Sequence, residues 1–340
     1  MARVTQADVA RAAGTSMAVV SYVINGGPRP VAEATRKRVL AAIEKTGYRP
    51  DGVARALAAG STFTLGLVVP DIANEFFAEL AGAVEQSARA AGRTVLLANS
   101  EGDTATEMAL LETFLQRRID GVVIISQAPE AADELLGRAN TRRVFLGASP
   151  ATGSSIGVDN FGGAVAATKH LLEHGYERIA MIAGPAGDTV AEARLAGWRT
   201  ALAADDTSVA ARTAARSPGA AFVHQPFTVD GGYVGALELL GSSAPPDAVF
   251  AASDRQAIGL LRAAADEGLS VPDDLAVVTF DGSAASAYAV PSLTTIQQPI
   301  AEMAELAVRQ LLDPEAEPVR AVLDVGLVVR RSCGCPSARH

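Results

Sequence analysis

The sequence predicts an α/β protein: an N-terminal all-α helix-turn-helix headpiece with a short linker, then a two-lobed core of doubly wound parallel sheets. Three observations carry this. Residues 5–25 read as two short helices about a glycine turn. Past Thr64, short apolar runs alternate with longer amphipathic stretches, the pattern of parallel strands buried on both faces by crossover helices. The chain has 340 residues, more than one typical core, and too many strands for one tidy sheet.

In the headpiece (1–49), Thr5 suits a helix N-cap, with Asp8 three residues on as an acidic variant of the capping box. Val9, Ala10 and Ala13 share a face, Gly14 suits the left-handed stop, and Thr15-Ser16 offers a second N-cap. Val19, Val20 and Val23 form the apolar stripe of the second helix, the one that enters the major groove in a helix-turn-helix. An αα-hairpin inside an enzyme has the same local pattern. Gly26-Gly27-Pro28-Arg29-Pro30 breaks the chain. A third helix follows from about Ala32, with Val39, Leu40 and Ile43 inward and Arg36, Lys37, Arg38 and Lys45 outward. Residues 50–61, Ala-rich between Pro50 and Gly60, are a linker too short for a stable isolated helix and so a candidate switch.

Residues 62–340 form the core. Apolar runs fall at 65–69, 95–98, 122–125, 144–146, 179–182, 221–223, 249–251 and 276–280, with helical patterns near 75–91, 104–117, 160–174, 190–203, 229–240 and 254–267. Two such lobes place a ligand in the cleft between them, at the carboxyl ends of the strands.

The net charge of −9 divides unevenly: residues 1–60 hold nine Lys/Arg and four Asp/Glu (+5), and residues 61–340 hold twenty and thirty-four (−14). A basic head on an acidic body confines phosphate attraction to the N-terminus. No apolar run reaches membrane-spanning length and no signal-peptide core opens the chain, so a cytoplasmic location is expected. Cys333 and Cys335 read as passive thiols with only His340 near in sequence, so no metal is expected. The histidines at 170, 174, 224 and 340 read as isolated, and no glycine fingerprint, Walker lysine or acid–base set stands out. Neither an enzyme nor a cofactor is expected.

Ordered motifs then point to a family. Val4-Thr5 through Asn25, Thr35-Arg36, Gly47-Tyr48-Arg49-Pro50 and Val53-Ala54-Arg55-Ala56-Leu57 lie in the head and linker. Gly66 through Asp71, Asp120-Gly121-Val122-Val123, Arg194 through Trp198 and Leu293 through Ile296 lie in the core. With these motifs the chain resembles the LacI/GalR family of bacterial transcription regulators along nearly its whole length. The resemblance implies a homodimer, a hinge helix, a core similar to periplasmic sugar-binding proteins, and a repressor of double-stranded, pseudo-palindromic operator DNA.

By that resemblance the base-reading positions are Met17, Ala18 and Tyr22, where many relatives carry polar or cationic groups. Met17 and Ala18 suit thymine methyls, and Tyr22 a base edge or phosphate; Met17 also fits plain helix packing. Thr5, Ser16, Ser21, Asn25 and Arg29, with Arg3, are phosphate-contact candidates. Ala54 and Leu57 lie in the hinge segment, where the family presents a leucine wedge to the minor groove; a core leucine is the alternative.

Polar residues just past strand ends mark the cleft: Asp71 and Asn74 beside Phe76 and Phe77, then Asp159, Asp254 and Asp281. Asp159, Arg194 and Asp281 match effector-binding positions of the family, with Phe227 and Gln298 as further wall candidates. Carboxylates, a guanidinium and aromatic faces together suit vicinal hydroxyls, so a sugar is the expected effector. Asp71 and Asp254 equally suit helix capping. A solute-binding protein without a DNA role, or a regulator answering to a nucleobase or a protein partner, are the alternatives; the basic headpiece disfavours the first.

Overall fold

The computed structural model describes residues 4–25, 30–49, 56, 59–147, 150, 152–204, 222–313 and 315–335. Arg3, Arg29, Ala54, Leu57, His340 and most of the 50–61 linker lie outside the described residues. Contacts divide the chain into two units, Met1–Thr64 with Arg118–Asp120, and Leu65–Arg117 with Gly121–His340.

The first unit holds α1 (Gln6–Ala13), α2 (Met17–Asn25) and α3 (Glu33–Thr46). The Asp8 carboxylate accepts from the Thr5 amide at 2.9 Å and hydroxyl at 2.7 Å. Gly14 turns left-handed at φ 62°, and the Ser16 hydroxyl accepts from the Val19 amide at 3.3 Å to open α2. The core is Val9, Ala10, Ala13, Val20, Val23, Val39 and Ala42. Two expectations shift by one helical step. Val19 is only half-buried, and Leu40 is 49% exposed while Ala42 takes the inward place, because the buried stripe of α3 runs through 39 and 42 at i, i+3 spacing. Asp120 fastens the end of the linker, accepting from the Ser61 hydroxyl at 2.5 Å and the Thr62 amide at 2.8 Å.

The second unit opens with β1 (Thr64–Val69), all but its first residue, then α4 (Glu75–Ala90), β2 (Thr94–Asn99), α5 (Thr104–Gln116), β3 (Gly121–Ile124), α6 (Pro129–Arg138), β4 (Arg142–Leu146) and β5 (Ser154–Val158). Next come α7 (Asn160–Glu173), β6 (Ile179–Ala183), α8 (Thr189–Ala203), β7 (Phe222–His224), α9 (Val229–Leu240), β8 (Ala248–Ala251), α10 (Asp254–Asp266), β9 (Ala276–Asp281), α11 (Ala284–Tyr288) and β10 (Thr294–Gln297). It ends with α12 (Ile300–Leu312), β11 (Arg320–Leu323) and β12 (Gly326–Val328).

One sheet runs β11-β5-β4-β3-β1-β2 and the other β12-β10-β9-β8-β6-β7. Only β12 pairs antiparallel among the registered neighbours, through Ile296↔Leu327. The central strands are buried throughout, as in β3, β6, β8 and β9, which is why they read as continuous apolar runs. The chain passes between the sheets three times, after β5, after β10 and between β11 and β12. α7 therefore packs on the second sheet and α12 on the first.

The expected helices and central strands of residues 62–340 are present. Elements absent from the sequence reading are α6, α11, α12, β11 and β12, and β10 appeared there only as a motif. The strands are three or four residues long, too short for a periodicity signal. α12 did carry one: Met303, Ala304, Ala307, Val308 and Leu311 make its buried stripe.

Candidate functional site

Between the two lobes of the second unit lies a cavity of about 650 Å³, within the range that encloses small ligands. Its walls gather at the carboxyl ends of the strands: Asp71 after β1, Asn99 on β2, Ser126 and Gln127 after β3, Gly147 after β4, Val158 on β5, Pro185 after β6, Ser253 after β8, Asp281 on β9 and Gln298 after β10. This is where a doubly wound sheet leaves room, because crossover loops diverge there.

The buried centre of the wall is Arg194, on α8. Its Nε donates to Asn160 Oδ1 at 2.9 Å, and Nη1 donates to the Ala252 carbonyl and, at 3.3 Å, to Asp281 Oδ1. The guanidinium also lies 3.6 Å from the Phe280 ring centroid. Burial works against its charge, and the Asp281 carboxylate offsets that. Asp281 is pushed above the usual carboxylate range by burial, with Arg194 pulling the other way. Gln298 holds it too, donating from Nε2 at 2.9 Å. Asp281 adopts φ 114°, a strained conformation of the kind that concentrates at binding sites. Phe76 and Phe77, edge-to-face at 5.3 Å, wall the first-lobe side, with Phe227 on the other.

The cavity brings together Asp71, Asn74, Phe76, Arg194, Phe227, Asp281 and Gln298. Asn74 is also the N-cap of α4, accepting from the Phe76 amide at 3.1 Å. Asp71 is not that cap. Its Oδ2 accepts from Arg255 Nη1 at 2.6 Å, and the Ala284 amide donates to Glu79 Oε1 at 2.7 Å, so two polar ties join the lobes.

Two expected effector residues are not among the cavity walls. Asp159 caps α7, its Oδ1 accepting from the Gly162 amide at 2.7 Å; the adjacent Asn160 faces the cavity instead. Asp254 is buried, and its carboxylate accepts from the Ser283 amide and hydroxyl, both at 2.7 Å, and from the Thr295 hydroxyl at 3.1 Å. Nor is it a cap, since the Ser253 hydroxyl opens α10. Burial, then the Asp281 charge, push the Asp254 carboxyl up to about 7. In both cases the same local geometry that places a polar residue past a strand end also offers it helix amides or loop hydroxyls. Sequence reasoning also missed Glu107, wholly buried, which accepts from the Ser126 hydroxyl and the Gln127 amide and so fixes that wall.

In the first unit, Met17, Ala18, Ser21, Tyr22 and Asn25 share the face of α2 opposite Val20 and Val23. Met17 is 56% exposed, so it is not spent on packing. Thr5, Ser16, Ala18 and Asn25 are exposed; Ser21 and Tyr22 are partly so.

The expected isolation of His170 and His174 does not hold, because each ring lies beside a cysteine thiol. His170 Nε2 lies 3.2 Å from Cys333 Sγ, and His174 Nε2 lies 3.0 Å from Cys335 Sγ. No described helix is long and apolar enough to cross a membrane.

Residues 5–51 match the description "Bacterial regulatory proteins, lacI family", and residues 168–333 match a periplasmic binding protein-like domain. The ribose operon repressor of Escherichia coli K12 is 35% identical over 318 residues, 92% of this chain and 94% of that protein. Among solved structures, a transcriptional regulator CelR–cellobiose complex is 33% identical, with TM-score 0.71 over 97% of this chain and 100% of that one. The lac repressor dimer bound to operator and the anti-inducer ONPF is 26% identical, with TM-score 0.85 over 98% and 99%.

Proposed function

Because this chain belongs to the lacI family of bacterial regulatory proteins, we propose that it is a repressor whose operator affinity is set by a sugar bound between its lobes. The observation that carries the effector half is the buried Arg194–Asp281 pair on the wall of the cavity. A carboxylate accepts and a guanidinium donates to vicinal hydroxyls, and Phe76, Phe77 and Phe227 supply faces for the apolar side of a sugar ring. Asn160, Gln298 and Asn74 add neutral polar groups.

Two headpieces of a homodimer engage the half-sites of a pseudo-palindrome. Met17, Ala18 and Tyr22 read base edges, and Thr5, Ser16, Ser21, Asn25 and Arg29 hold phosphates. Ala54 and Leu57 act at the minor groove of the central step. The lac repressor dimer on operator supports this arrangement. An effector that binds one relation of the lobes more tightly than the other shifts the operator-binding population; equal affinity would shift nothing.

The test is thermal stability across pentoses, hexoses, disaccharides, nucleobases and nucleosides. A ligand at about a hundred times its dissociation constant stabilises the native state by roughly 2.7 kcal/mol. A sugar hit lost in Arg194→Ala supports the reading. A nucleobase hit overturns the sugar assignment.

A further inference from the structure

At the end of α7 away from the cleft, four metal-binding side chains meet. His170 and His174 are one helical turn apart, so their rings project from one face and stack edge-to-face at 4.7 Å. The 330–335 segment is held beside them by the second sheet. Ser332 exchanges hydrogen bonds with Val277, its carbonyl accepting at 2.8 Å and its hydroxyl donating at 2.6 Å, and accepts from the Thr294 amide at 2.8 Å. Cys333 is thereby buried. Gly334 then turns left-handed at φ 85°, where a Cβ would also lie 2.8 Å from the Tyr176 hydroxyl. That turn returns Cys335 to the same side, 3.7 Å from His170 Nε2. The four donor atoms all lie within 4.8 Å of one another.

We infer that His170, His174, Cys333 and Cys335 form a closed tetrahedral site for one zinc ion, which clips the 330–335 segment to α7. Two thiolates and two imidazoles are a donor set that zinc takes, and four protein ligands leave no open position, so the site is structural. Zinc bonds of about 2.0–2.3 Å set donor separations of roughly 3.3–3.8 Å. The sulfur–nitrogen distances of 3.0, 3.2 and 3.7 Å lie within a few tenths of an ångström of that range. The Cys-x-Cys spacing is shorter than the commonest zinc loops, and the left-handed Gly334 is what lets both sulfurs face one point. On binding, the sulfur–zinc bonds replace S–H bonds, and the thiol protons leave to solvent.

The test is metal content and cobalt substitution of the untagged full chain, prepared under reductant. One zinc per chain is expected. Cobalt should give a thiolate charge-transfer band with the intense visible absorption of tetrahedral geometry. Cys335→Ser and His174→Ala, at the more accessible ligands, should keep the circular dichroism of the parent and weaken zinc binding by about tenfold or more. Zinc affinity unchanged in both variants, or a weak octahedral cobalt spectrum, would overturn the assignment.

Discussion

The two walls of the cavity are built from different chemistry. The first lobe offers apolar faces from Phe76, Phe77, Leu80, Ile125 and Met303, with Asn74, Asn99 and Gln127 between them and the carboxylates of Asp71 and Glu101 beside them, neither of them buried. The second lobe offers charge held in place, with Arg194 and Asp281 locked to each other, to Asn160 and to Gln298. A preorganised charged wall fixes orientation, and a ligand that also packs on the apolar wall touches both lobes at once. Such a division makes ligand occupancy and lobe relation interdependent, and this coupling is what a switch requires.

The largest effect is expected at the charged wall. Arg194→Ala leaves Asp281 buried without its ion partner, and removing one side of a buried pair costs about 3–5 kcal/mol. A large fall in melting temperature with loss of effector binding should follow; an unchanged melt would show that the pair does not hold the second lobe.

The aromatic faces should matter for ligand more than for fold. Phe227→Ala is expected to lose roughly 2 kcal/mol of effector affinity, about thirtyfold, measured by calorimetric titration. Equal affinity would move the ligand away from that wall.

Asp254 sharpens the comparison through pH. Its carboxyl titrates at about 7 in the fold against 3.8 when free. Between those values the folded state holds the extra proton, so stability is fullest below 3.8 and is lost as pH rises through about 7. Melting temperature should therefore decline over that window, and Asp254→Asn should flatten the decline. The same slope in both proteins would remove Asp254 as its source.

Smallest is the tie between the lobes. Arg255 and Asp71 are partly exposed, with side chains 19% and 42% accessible, so Arg255→Ala should cost no more than about 1 kcal/mol of stability. Its expected signature is a modest change in effector affinity with the melt nearly unmoved. A large stability loss would make the tie part of the fold rather than of the closure.

The sequence read the architecture well where burial imposes a period. Continuous apolar runs gave the central strands, and Thr5, Asp8, Gly14 and Ser16 marked the first two helices. Short edge strands such as Gly326–Val328 have no such period. For the site, position was legible and direction was not: Asp159, Asp254 and Asp281 all lie at strand ends, yet only Asp281 lines the cavity. Capping residues and ligand residues are the same chemical types, and a side chain's choice depends on amides that the sequence does not place. The His–Cys cluster was invisible for another reason. His170 and Cys333 are 163 residues apart, and only the packing of α7 beside the second sheet joins them.

The central claim is that occupancy of the cavity controls the headpiece. It is tested by fluorescence anisotropy on a DNA duplex selected by the protein from a random pool, with and without the sugar that raises its melting temperature. At saturating sugar the operator dissociation constant is expected to change by about tenfold or more, the scale of a typical coupling free energy, and in Phe227→Ala the same change should require a sugar concentration about thirtyfold higher. Operator affinity that stays constant while the cavity fills would contradict it.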